Sequence, residues 1–108
     1  MKFDKAIKHD QDKPRMELLS PAWIEGVARV MAFGAKKYED HNWRKGFKSS
    51  RVLGAALRHV FAYLGGEDLD PETGLSHLLH ASCCLQFAYE TQLVKPELDD
   101  RYKHEHKS

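Results

Sequence analysis

RHVFAYLGGEDLDPETGLSHLLH, residues Arg58–His80, decides how this chain is built. Its first third continues an apolar, helically spaced segment, and the pair Gly65–Gly66 supplies a left-handed stop. The acidic EDLDPETG that follows offers Asp70 as N-cap, Pro71 at the first helical position and Thr73 three residues on. That reading predicts a new helix from Asp70 to about Val94, ahead of Pro96. Two helices joined by so short a connection form an antiparallel pair. The same stretch gathers His59, His77 and His80 with Glu67, Asp68, Asp70 and Glu72 in an otherwise apolar region. Burying such groups costs free energy unless each finds a partner, so a metal ion, a phosphate or a polar network is expected here.

Working outward, the upstream helix starts after Ser49 or Ser50 and carries two adjacent stripes. Leu53, Leu57, Val60 and Leu64 form one, and Val52, Ala56, His59 and Tyr63 form the other. Apolar coverage this wide places the helix centrally, in the domain or in an oligomer. On the downstream helix, Leu75, Leu78, Leu79, Ser82, Leu85, Tyr89 and Leu93 mark the expected packing face. Nearer the start, Ser20 reads as an N-cap with Pro21 at the first helical position, opening a helix to about Tyr38. Trp23, Val27, Val30, Met31 and Gly34 share one side of it, and Gly34 is the residue expected to admit a close backbone approach. EDHNWRKGFKSS, residues 39–50, is then a loop long enough to carry function. Residues 1–19 form a polar arm interrupted by Pro14. From Pro96 onward the chain is a solvated tail in which His104 and His106 read as incidental. No segment alternates at period two. The fold class is therefore all-α: one domain, 1–108, a small bundle of about three main helices with an arm and a tail.

Composition narrows the function classes. Seventeen Lys and Arg against sixteen Asp and Glu leave no global field to draw polymeric nucleic acid or an anionic membrane, so anion recognition must be local. Apolar runs are far too short for a membrane span, and the charged start MKFDKAIKHDQDKPR has no signal-peptide core. The expected location is cytoplasmic. Cys83 and Cys84 are adjacent, without a distant partner, and are expected to be reduced.

His77 and His80 lie three apart, on one side of a helix, where they could grip one ion, and antiparallel packing would bring His59 level with them. Imidazole with carboxylate suits Zn, Mn, Co, Ni or Fe, whereas carboxylates alone suit Mg or Mn. The structural alternative makes these histidines hydrogen-bonded core groups and the acidic loop solvated capping. In GAKKYEDHNW, Gly34–Trp43, two lysines at a helix C-terminus complement its dipole. The functional reading has Lys36 or Lys37 meeting phosphate oxygens, Asn42 a base or ribose, and Trp43 offering a stacking surface. Arg15, Arg51 and Arg58 are further phosphate candidates. No nucleophile elbow, Gly-rich phosphate loop, CxxC or HExxH is present, which leaves metal-assisted attack of water as the best-supported reaction type.

DKPRMELLSP (12–21), FGAKKYEDHNW (33–43), LRHVFAYLGGEDLD (57–70) and GLSHLLHASCC (74–84) together resemble the phage and prophage dATP/dGTP diphosphohydrolase domain family, relatives of the MazG-like all-α enzymes. The resemblance spans almost the whole chain. It implies cleavage of a purine deoxynucleoside triphosphate to the monophosphate and pyrophosphate, a divalent ion (Mg or Mn), and assembly as a homodimer or homotetramer. MazG-like enzymes hold ions with ExxE and ExxD on helices. This chain has HLLH (77–80) on the later helix, and its ExxD, Glu67–Asp70, lies in the connection. The expected sites are therefore His59, Glu67, Asp70, His77 and His80 for the ion and Glu67 and Asp70 for catalysis. Arg15, Lys36, Lys37, Tyr38, Asn42, Trp43 and Arg58 are expected to bind the substrate. The alternative is a phage protein that binds a nucleotide or cyclic nucleotide without hydrolysing it.

Overall fold

In a computed structural model, residues 5–103 are described, and His104 and His106 lie outside them. Three helices dominate: α1 (Pro21–Lys37), α2 (Ser49–Leu64) and α3 (His77–Val94). Single 3₁₀ turns at Met16–Leu18, Asn42–Lys45 and Pro96–Leu98 punctuate the connections. Among the described residues the extended pairing amounts to one isolated bridge, Leu69 with Ser76, and no helix is long and apolar enough to cross a membrane.

Ser20 caps α1 as expected, its hydroxyl accepting from the Trp23 N–H at 3.2 Å, with Pro21 following. The third helix begins six residues later than expected, at His77 instead of Pro71, with Ser76 in place of Asp70 as its N-cap. Asp70 does cap, but it caps a turn: its Oδ1 accepts from the N–H groups of Glu72 (2.8 Å) and Thr73 (3.1 Å). The Asp70 N–H donates to the Leu75 carbonyl, and Gly74 adopts φ +71°, a left-handed conformation that no continuing helix would allow. Residues 70–76 are thus a closed loop carried on the end of α3.

Helix α3 is the centre of the domain, with α2 packed along it and α1 crossing it. The buried residues of the helix seams are small: Val52 and Ala56 on α2 and Ala81 and Cys83 on α3, with Cys83 turned to α1, its Sγ donating to the Val27 carbonyl at 3.6 Å. Gly26, rather than Gly34, admits the close approach of α1. A Cβ there would lie 2.5 Å from a Leu79 methyl, whereas nothing lies within 4 Å of one at Gly34. The indole of Trp23 fastens the same crossing by donating to Ser82 Oγ at 3.0 Å. The expected packing face of α3 requires correction. Leu78, Leu85, Tyr89 and Leu93 are exposed, and His77, Ala81, Cys83 and Thr91 are buried instead, because close helix approach selects the small and polar side of α3. Burial pushes the Cys83 thiol up to about 12, which keeps it protonated and unreactive, and both cysteines are free.

Candidate functional site

Helix α1 and helix α2 diverge on either side of α3 and leave a cleft of about 840 Å³ between them, a size suited to a small molecule. Its two ends differ in chemistry.

At one end the start of α3, the inner face of α2 and the 70–76 loop bring imidazoles together. His77, 4 % exposed, sets Nδ1 at 2.8 Å from His59 Nδ1 and Nε2 at 2.6 Å from Glu67 Oε1. An ionised carboxylate only accepts, so with Glu67 ionised Nε2 of His77 carries the proton. In the tautomer with the proton on Nε2 alone, Nδ1 turns its lone pair to His59. Asp70 Oδ2 lies 4.0 Å from His59 Nδ1, and donor atoms of His59, Asp70 and His77 all fall within 4.8 Å of one another. His80 stacks on His59 with ring centroids 4.6 Å apart and planes within 8°, and its Nε2 meets Thr73 Oγ1 at 2.7 Å.

Burial, followed by the neighbouring imidazoles, lowers the His59 pKa, and burial likewise lowers that of His80, so both rings are neutral at neutral pH. Burial pushes Asp70 the other way but is outweighed by the Thr73 and Glu72 N–H donors, and its carboxyl is held below the usual range. The imidazoles of His59 and His77 beside the Asp70 carboxylate form a nitrogen-rich donor set that fits Zn, Mn, Co, Ni or Fe better than Mg. Glu67 bonds the far nitrogen of His77, the position of an outer partner that would orient the ring if His77 held an ion.

At the other end the 42–45 turn docks on α3. Trp43 stacks on Phe87 with centroids 5.4 Å apart, and Phe47 approaches Phe87 at 5.5 Å. The Arg44 guanidinium sits 4.4 Å from the Trp43 ring centre and donates from Nε to His41 Nδ1. The indole is thus already held by two neighbours while contributing its edge to the cleft.

Of the candidate site residues singled out in the sequence, Lys37, Tyr38, Asn42, Trp43, Arg51, His59, Asp70, Glu72 and His80 line this cleft. Lys37 also reaches Glu72 at 3.3 Å, linking the end of α1 to the 70–76 loop. Glu67 and His77 stand behind the lining. Lys36 and Arg58 are exposed outside it, and Arg15 is exposed in the arm, paired with Glu17 at 2.8 Å. Sequence reasoning missed Thr73 and Phe87. Phe87 was findable, since His80, Cys84 and Phe87 follow i, i+4, i+7 spacing on one side of α3.

Comparison with known proteins now adds a family. Residues 4–101 match the family described as dATP/dGTP diphosphohydrolase, N-terminal. Over 95 residues the chain is 43% identical to a dATP/dGTP diphosphohydrolase of Salmonella phage PMBT28, covering 88% of this chain and 32% of that protein. The chain therefore spans about a third of the length of the curated relative it matches. No solved structure matches. With all but a few residues at each end inside the matched segment, the chain belongs to the dATP/dGTP diphosphohydrolase N-terminal family.

Proposed function

We propose that this chain carries the nucleotide site of a metal-dependent pyrophosphohydrolase that converts a purine deoxynucleoside triphosphate to its monophosphate and pyrophosphate. The observation behind it is that one cleft joins the His59–Asp70 wall, with His77 directly behind, to an aromatic end bearing Asn42. In this reading His59, Asp70 and His77 hold a divalent ion, Glu67 keeps the Nδ1 lone pair of His77 directed at it, and His80 braces His59 by stacking. A divalent ion there supplies positive charge for the polyphosphate and acidifies water. Lys37 and Tyr38 border the phosphate path, and the aromatic end takes the base. Water adds at phosphorus as the bond to the pyrophosphate oxygen breaks, and the ionised Asp70 is the chain's own acceptor at the cleft wall for the proton released.

Incubating tag-free protein with each dNTP and Mg, Mn, Co or Zn tests this directly. Pyrophosphate and the monophosphate are expected from dATP and dGTP, and chelation by EDTA should stop their release. Absence of turnover with every metal would remove hydrolysis. A second reading, capture without cleavage, draws support from the single carboxylate, Asp70, among the three converging donors. Its signature is a tightly held nucleotide recovered intact.

The homodimer or homotetramer belongs to the same proposal. Leu57, Phe61 and Leu64 on α2 and Leu85, Tyr89 and Leu93 on α3 are all more than half exposed, a contiguous kind of surface that single small domains rarely leave in water. Sedimentation should give a mass at least twice 12.4 kDa, and a stable monomer would contradict association.

A further inference from the structure

The aromatic end of the cleft holds two polar side chains that no neighbour occupies. Asn42, half-buried at the start of the 42–45 turn, makes no side-chain hydrogen bond to any described residue, and the side chain of the exposed Arg51 makes neither hydrogen bond nor ion pair to one. The nearby cations differ. Lys37 meets Glu72, Lys45 meets Glu39, and Arg44 is committed to His41, Glu90 and the Trp43 ring. Arg51, Ala55 and His59 occupy i, i+4 and i+8 on the cleft side of α2, so Arg51 sits about 12 Å along the helix from His59. That is about the length of one nucleotide. Phe47, just ahead of α2, approaches Phe87, and Trp43 beside Asn42 stacks on the same ring, and Asn42, Trp43, Phe47, Arg51 and Phe87 all line this end of the cleft.

Resting on the nucleotide reading above, we infer that Asn42 and Arg51 are the base-specificity residues, two readers of the purine edge in one site. With the phosphates at the histidine end, a guanidinium at the far end meets the base. Guanine presents two adjacent acceptors, O6 and N7, which match two guanidinium N–H donors. Adenine presents an N6 donor beside the N7 acceptor, which match an amide carbonyl and its NH₂. Pyrimidines lack N7 and satisfy neither. Arg51 therefore reads guanine and Asn42 reads adenine, and a site with both admits the two purines and rejects dCTP and dTTP, leaving its polar groups unpaired with the wrong base. Both side chains lack structural partners, so their loss should leave the fold intact.

Calorimetric binding of non-hydrolysable α,β-methylene dATP and dGTP, with Mn present, separates the possibilities. Arg51→Ala is expected to weaken the dGTP analogue about tenfold to a hundredfold and leave the dATP analogue within about threefold, and Asn42→Ala should do the reverse. On the unaltered protein, 7-deaza forms of both should bind more weakly by a similar factor, and a hypoxanthine analogue, which keeps O6 and N7, should bind like guanine. Equal losses for both purines in Arg51→Ala would mark a phosphate contact and overturn the inference, as would 7-deaza analogues binding like their parents. If neither purine analogue binds the unaltered protein, the nucleotide reading falls and the inference with it. If both bind and the variants show no selectivity, only the inference falls.

Discussion

Replacing His77 by alanine is expected to lower divalent-ion affinity by about a hundredfold or more and to abolish turnover of both purine triphosphates. The ring is the hinge of the cluster: its Nδ1 faces His59 at 2.8 Å and its Nε2 holds Glu67 at 2.6 Å. Removing it deletes one of three converging donors and releases the carboxylate that orients it, and losing an outer partner alone typically costs 10–100-fold. Because the side chain is 4 % exposed, truncation also leaves a void, so a stability loss of about 2 kcal/mol should accompany the change. Calorimetric titration of the folded, tag-free variant with Mn or Zn, beside a urea melt, reads the two effects separately. If the imidazoles only tie helices together, the melt shifts while ion affinity stays where it was, and the metal assignment is lost.

The second large effect is expected at Gly46, outside the histidine cluster and at the end of the 42–45 turn. Its φ of 92° and ψ of 154° lie in a region open essentially to glycine alone. A Cβ at that position would also stand 2.7 Å from a Leu98 methyl and 3.3 Å from Lys95 Cδ. Gly46→Ala should therefore cost about 2–4 kcal/mol, from backbone strain and overpacking together. The damage should reach the cleft, because Gly46 ends the turn that carries Asn42 and Trp43 onto Phe87. Urea denaturation measures the first consequence and quenching of Trp43 fluorescence by iodide the second. A variant as stable as the parent, within about 0.5 kcal/mol, would show that the turn is not held as described.

Much of the scaffold was legible because its signals are local. Ser20–Pro21 marks the start of α1 through one hydroxyl and one fixed φ, and Gly65–Gly66 ends α2 through the freedom of a missing side chain. Asp70–Pro71 misled because an aspartate accepting two backbone N–H groups is the same chemistry in a helix cap and in a turn. Gly74, in the left-handed region, was the discriminating residue. The face of α3 misled differently: a leucine stripe reports that something apolar must be covered, without saying by what.

At the site, residue types were readable and roles were not. His59, Asp70, His77 and Glu67 could be named from their density in one stretch, yet only packing separates the three that converge from the carboxylate that stands behind them. Equally, Asn42 was a base or ribose candidate within GAKKYEDHNW and Arg51 a phosphate candidate, and what the structure adds is that both line the one cleft with no side-chain partner among the described residues.

By itself, then, the sequence determined an all-α chain of three helices, their starts and stops within the reach of local caps except the start of α3, and a concentration of imidazole and carboxylate around residues 59–80. Only the tertiary structure decided that α1 and α2 part over α3, so that the 37–43 segment, His59 and His80 border one cleft. The reason is physical. Caps and glycine stops depend on backbone groups a few residues away, whereas the crossing at Gly26 and Leu79 is fixed by side-chain volumes 53 positions apart, which no periodicity encodes.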